Sequence, residues 1–147
     1  GGRVVGMTSR VAHTTIDCRD AFALSQWWKG VLDYGDIEGD PNLPGHDECM
    51  IVSPDGSHRL LFIQVPEGKT VKNRLHLDLE PVEGARDDEL ARLLEHGAVE
   101  VDDHRGQYGP GTGWVVLADP EGNEFCILRN LAEREGAASA DGTVEGS

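Results

Sequence analysis

The chain can be laid over itself, and that repeat limits its folds more than any other feature. "HTTIDCRD" (13–20) and "RLHLDLEP" (74–81) both alternate, and they superpose with His13 over Arg74, Thr15 over His76, Ile16 over Leu77 and Asp17 over Asp78. A period of two places Leu75, Leu77 and Leu79 on one face of a strand and Arg74, His76 and Asp78 on the other. A helical pattern follows each run. Asp20 can cap a first helix that carries Leu24, Trp27, Trp28, Val31 and Leu32 at helical spacing, with Gly35 as its stop and at least one tryptophan in the core. Leu90, Leu93 and Leu94 repeat the pattern behind an acidic first turn, Asp87 to Glu89, with Gly97 as the stop.

The repeat continues past the helices. "MIVSPDGSHRLLFIQV" (50–65) and "VVLADPEGNEFCILRN" (115–130) each read as strand, Pro-acid-Gly turn, strand, with Pro54 and Gly56 matching Pro120 and Gly122. One more strand is expected in each half, near Tyr34–Gly39 and Ala98–Asp102. Strands and helices of this length in two copies predict an α+β chain of two βαβββ modules. The expected boundaries are an N-terminal extension 1–9, a first module 10–66, a hinge 67–73, a second module 74–131 and a flexible tail 132–147 poor in large apolar residues.

Charge narrows the function classes. Thirteen Lys and Arg against twenty-seven Asp and Glu leave a formal charge of -14, which repels phosphate backbones and anionic bilayers, so neither nucleic acid nor membrane is an expected partner. There is no apolar run of about 18 residues, and the start "GGRVVGMTSR" lacks the apolar stretch of a signal peptide. Cys18, Cys49 and Cys126 are odd in number, widely spaced and without a CxxC, which favours small buried hydrophobes over a zinc knuckle or disulfides. Together these features predict a cytoplasmic protein. "GPGTG" (109–113) lacks the following Lys and helix of a phosphate loop and reads as a lead into "WVVLA".

With His13 opening the first strand, "FALSQWWKGVLDYG" as helix and "GWVVLADPEGNEFCIL" as final hairpin, residues 10–130 resemble the vicinal oxygen chelate superfamily, especially its glyoxalase-like (bleomycin resistance) domains. The resemblance implies curved mixed sheets around a cavity with helices outside, the glyoxalase/dihydroxybiphenyl dioxygenase-like fold, commonly assembled as a homodimer. Fold alone leaves the reaction open. In metal-dependent members the ligands come from the first residue of each module's first strand and from a carboxylate on each module's last strand. The superposition above puts His13, Arg74, Gln64 or Ile63, and Cys126 at those positions, with His76 and Glu124 two residues away on the same faces. Arg74 cannot bind a metal, and a set without a carboxylate disfavours Mg, Mn and Fe.

The expected function is therefore small-molecule binding without a catalytic metal. An aromatic or acidic compound would sit between the modules, held by Asp17, Gln64, Asp78, Trp114 and Cys126. The alternative is an acid/base isomerase or lyase using His13 or His76 as base and Arg74 to stabilise an oxyanion. A metal-dependent glyoxalase or dioxygenase, with His13, Gln64, His76 and Glu124 as ligands, is the third reading. Lys69, Lys72 and Asn73 make the hinge locally basic, either as a solvated loop or, together with Arg74, as an anchor for a ligand carboxylate or phosphate. Cys126 is a candidate nucleophile only if its thiol is acidified.

Overall fold

A computed structural model describes Gly6 and residues 8–135. The chain divides into two compact units after Gly68, within the stretch read as a hinge.

The first unit runs β1 (Thr14–Cys18), α1 (Ala21–Leu32), β2 (Gly35–Asp36), β3 (Glu48–Val52), β4 (Arg59–Gln64), and its sheet has the order β1-β4-β3-β2. β1 lies parallel to β4, while β3 pairs antiparallel with both β2 and β4. Asp20 caps α1 by accepting from the Ala23 N–H at 3.0 Å. The helix ends at Asp33, left-handed at φ 55°, and not at Gly35, which opens β2. A short polar side chain tolerates that conformation, so no glycine is needed. Leu24 and Trp28 are buried on one side of α1, and Cys49, Ile51, Leu60 and Phe62 supply the buried face of the sheet.

The second unit repeats the plan with β5 (Leu77–Leu79), α2 (Arg86–Glu95), β6 (Val99–Asp103), β7 (Val115–Ala118), β8 (Glu124–Ile127), in the order β5-β8-β7-β6. β5 is parallel to β8 and the remaining pairs are antiparallel. Leu90 and Leu93 of α2, with Val115, Leu117, Phe125 and Ile127, form its core. Buried Asp119 organises the final turn, accepting from the Glu121 and Asn123 N–H groups at 2.8 and 3.0 Å. Residues 132–135, expected within a flexible tail, instead belong to a helical turn. Asn130 and Glu133 exchange side-chain and backbone hydrogen bonds there, at 2.7 and 2.9 Å, as a capping box does. Residues 136–147, like 1–5 and 7, lie outside the described residues.

The strand registers correct the superposition read from sequence. With the Pro54–Gly56 and Pro120–Gly122 turns as anchors, the core pair Ile51 and Leu60 corresponds to Leu117 and Phe125, and Cys49 and Phe62 to Val115 and Ile127. β1 pairs Thr14 with Leu60, and β5 pairs Leu77 with Phe125. Thr14 therefore corresponds to Leu77, His13 to His76, Thr15 to Asp78 and Leu61 to Cys126. The earlier match, His13 over Arg74, is out by two residues. A slip of two leaves every side chain on its own face, so alternation could not detect it.

Candidate functional site

β5 is short, and its outward face carries the chemistry. Arg74 and Leu75 lie in a bend before the strand, and Leu75, which alternation placed on the core face, is 88% exposed. His76 enters the strand with its Nε2 3.2 Å from Asp78 Oδ1. The parallel register sets Cys126 of β8 directly beside Asp78. Val116 of β7 is the next partner of Cys126, and Asp102 of β6 the next partner of Val116. One row of cross-strand neighbours thus runs from the His76 and Asp78 pair to the Asp102 and His104 pair at the sheet edge.

Loops complete this face. Lys72 pairs with Glu124, whose side chain is only 11% exposed, and Asn73 Oδ1 accepts from the Glu124 N–H at 3.2 Å. At the other end His104 stacks on Trp114, with centroids 4.8 Å apart and planes at 23°, and Tyr108 lies beside the same indole at 6.1 Å. His104 Nε2 contacts Asp102 Oδ2 at 2.9 Å and its Nδ1 contacts Gln107 Oε1 at 2.8 Å. A cavity of about 230 Å³ is lined by Lys72, His76, His104, Trp114, Val116, Glu124 and Cys126.

Two buried features hold this wall in place. Gly113, at φ +91°, passes so close to the chain that a Cβ there would come within 2.0 Å of the His104 carbonyl oxygen. Arg86, 5% exposed, donates to the Thr112 and Gly113 carbonyls at 2.9 and 2.7 Å, tying the start of α2 to the loop that delivers Trp114. Arg86 also bonds Asp87, which reaches Arg105 and through it Asp103.

Burial pushes the Cys126 thiol up to about 12, and the charge of Asp78 and a hydrogen bond to it add to the shift. The thiol therefore stays protonated and donates toward Asp78, so Cys126 is not poised for nucleophilic attack. Trp114 is already stacked on two side chains and 8% exposed, which leaves little indole face for a ligand.

His76, Asp78, Glu124, Cys126 and Trp114 come together in the second unit. Arg74 does not join them: it is exposed in the bend, and Lys72 is the cation on the cavity wall. In the first unit His13 is half-buried ahead of β1, and Asp17 faces outward beside Ile63. Gln64 alternates onto the face of Leu60 and Phe62, opposite to Asp17, with its N–H donating to the Asp47 carbonyl at 2.8 Å. Leu61, not Gln64 or Ile63, is the counterpart of Cys126. Asp102, His104 and Tyr108 went unread in the sequence. Their signal was an acid and an imidazole two residues apart at a strand end, followed by an aromatic and a glycine-rich lead.

The donor set bears on a metal. One ligand atom each from His76, Asp78 and Cys126 lies within 4.8 Å of the others. Bonds of about 2.0–2.3 Å to nitrogen, oxygen and sulfur would close that triangle with small side-chain shifts, so the residues fit a divalent ion geometrically. The Arg74 cation that argued against one is elsewhere, and a carboxylate is present.

Comparison with known proteins agrees with this architecture. No protein of curated function matches the chain. A mutant of the genomically encoded fosfomycin resistance protein FosX from Listeria monocytogenes, complexed with Mn(II) and 1S,2S-dihydroxypropylphosphonic acid, is similar at 16% identity and a TM-score of 0.62, over 87% of this chain and 96% of that one. FosX from Mesorhizobium loti is similar at 16% identity and a TM-score of 0.60, over 88% and 99%. A "possible glyoxalase" from Bacillus cereus follows at 14% and 0.58, over 82% and 99%. These likenesses are of fold. The family model of the glyoxalase-like domain matches residues 13–128, so the chain belongs to the glyoxalase-like domain family of the vicinal oxygen chelate superfamily.

Proposed function

We propose that this protein binds a small oxygenated molecule in the second-module cavity, without need of a hard cation such as Mg(II) or Mn(II). The observation that carries the reading is His76, backed by Asp78 at 3.2 Å, on the wall of a cavity of about 230 Å³. The volume is below the roughly 300–1,000 Å³ of sites for drug-sized ligands, which favours a small metabolite over a bulky antibiotic. Lys72 offers a hydrogen-bond donor for a carboxylate or carbonyl oxygen. Its pairing with Glu124 leaves little net positive charge, so a carbonyl or hydroxy compound suits the wall better than a multiply charged anion.

Acid/base turnover from His76 is the second reading, favoured by the carboxylate that orients its imidazole. Arg74 has no part in it. A homodimer and a reducing, cytoplasmic setting complete the proposal, the latter supported by three free, buried cysteines. No helix among the described residues is long and apolar enough to cross a membrane.

A thermal-shift screen of small hydroxy, keto and carboxylic acids tests the reading. Stabilisation that His76→Ala abolishes supports it, and turnover of a stabilising compound distinguishes enzyme from sequestering protein. Stabilisation unchanged in both His76→Ala and Lys72→Ala would place the ligand elsewhere.

A further inference from the structure

We infer that Val116 sets the length of the molecule that the second-module cavity accepts. An oxygenated head lies against Lys72, Glu124 and His76, and an unbranched aliphatic tail of a few carbons crosses Val116 and stops at the Trp114–His104 stack. The inference rests on the reading of this cavity as the ligand site, and adds the order in which a ligand's groups lie and the side chain that measures them.

Strand register sets the lining in successive rows. Ala118 pairs with Glu124, and His76, one step ahead of the Leu77 and Phe125 pair, comes level with Glu124 from the other side. Val116 pairs with Cys126 in the next row. Trp114 follows two residues beyond Val116, and the His104 N–H, donating to the Trp114 carbonyl at 2.9 Å, holds His104 beside it. Rows two residues apart along a strand are separated by about 7 Å.

The two ends differ in chemistry. At the first row Lys72 and Glu124 present a donor and an acceptor side by side, and His76, which meets Asp78 through Nε2, has Nδ1 to offer. At the last row both ring nitrogens of His104 are engaged, by Asp102 at 2.9 Å and Gln107 at 2.8 Å, so the ring closes the cavity as a flat wall and gives a ligand no hydrogen bond. Arg86 fixes that wall through the Gly113 carbonyl at 2.7 Å. Between the ends the floor is Val116 and buried Cys126, a surface suited to carbon. The cavity of about 230 Å³ holds roughly eight water-sized groups, enough for a polar head and a short tail. Val116 is half-buried, so its side chain can be exchanged without opening the core.

The test is calorimetric titration of the full chain with racemic straight-chain 2-hydroxy acids, from lactate to 2-hydroxyoctanoate. Affinity should rise with each added carbon to a maximum and then fall by about 10-fold or more with the next, the cost of one methylene too many in a closed pocket. Val116→Ala should move the maximum to a longer acid and Val116→Leu to a shorter one, while His76→Ala weakens every member. The same maximum in Val116→Ala and Val116→Leu, affinity that climbs through 2-hydroxyoctanoate in the unaltered chain, or no binding anywhere in the series would each overturn the inference. Stabilisation by another compound of the thermal-shift screen, abolished by His76→Ala, would leave the preceding proposal standing even then.

Discussion

Cys126 and Gly113 set the character of the site more than its obvious polar residues do. Cys126, buried beside Asp78, keeps its proton and so gives the site no nucleophile. Gly113 has no chemistry, yet its missing Cβ lets the chain pass the His104 carbonyl. Gly113→Ala should cost about 2–4 kcal/mol in urea unfolding, through strain at positive φ and the steric clash, and should weaken the His104–Trp114 stack seen in near-UV dichroism. A loss below about 0.5 kcal/mol would contradict that close approach. Asp103 gives a pH prediction. Hydrogen bonding from Arg105 holds its carboxyl at about 2, below the ordinary 3.8. The unfolded chain therefore binds the proton more readily, so this carboxylate stabilises the fold above its ordinary pKa, and the contribution is lost as pH falls from 3.8 toward about 2. Asp103→Asn should flatten that part of the stability–pH curve, modestly, since the side chain is 36% exposed. The candidate residues His76, Asp78 and Trp114 were legible from alternation and position. His104 was not, because its role depends on the indole it stacks against.

Among the elements, the hairpins were the most readable and the first strands the least. Pro-acid-Gly turns mark their place by chain geometry, and β3–β4 and β7–β8 form around them. β5 shows the opposite case. Eight alternating residues yielded a three-residue strand, because pairing with β8 covers only Leu77 to Leu79. That shortening removed Arg74 from the site, and the register moved the His13 counterpart to His76. Arg86 shows how α2 serves the site from the opposite side of the sheet. Its side chain satisfies two loop carbonyls that packing hides, so Arg86→Met should destabilise the fold by about 2–4 kcal/mol and loosen Trp114. Equilibrium unfolding together with indole fluorescence reads both effects; unchanged fluorescence would separate Arg86 from the site.

For the molecule as a whole, acidity is the dominant property. A formal charge of -14 repels itself at low ionic strength, so moving from about 10 mM to about 300 mM salt should raise the melting temperature by screening. A melting temperature that falls would mean that attractive pairs such as Arg105–Asp103 outweigh the net repulsion. The two-module plan, the helices, the turns and the family were all written in the sequence, because hydrophobic periodicity and turn chemistry are local. Which residues share a site was decided by strand pairing. A parallel strand beside β5 sets Cys126 against Asp78, and no count along the chain can choose between registers that differ by two residues and bury the same faces.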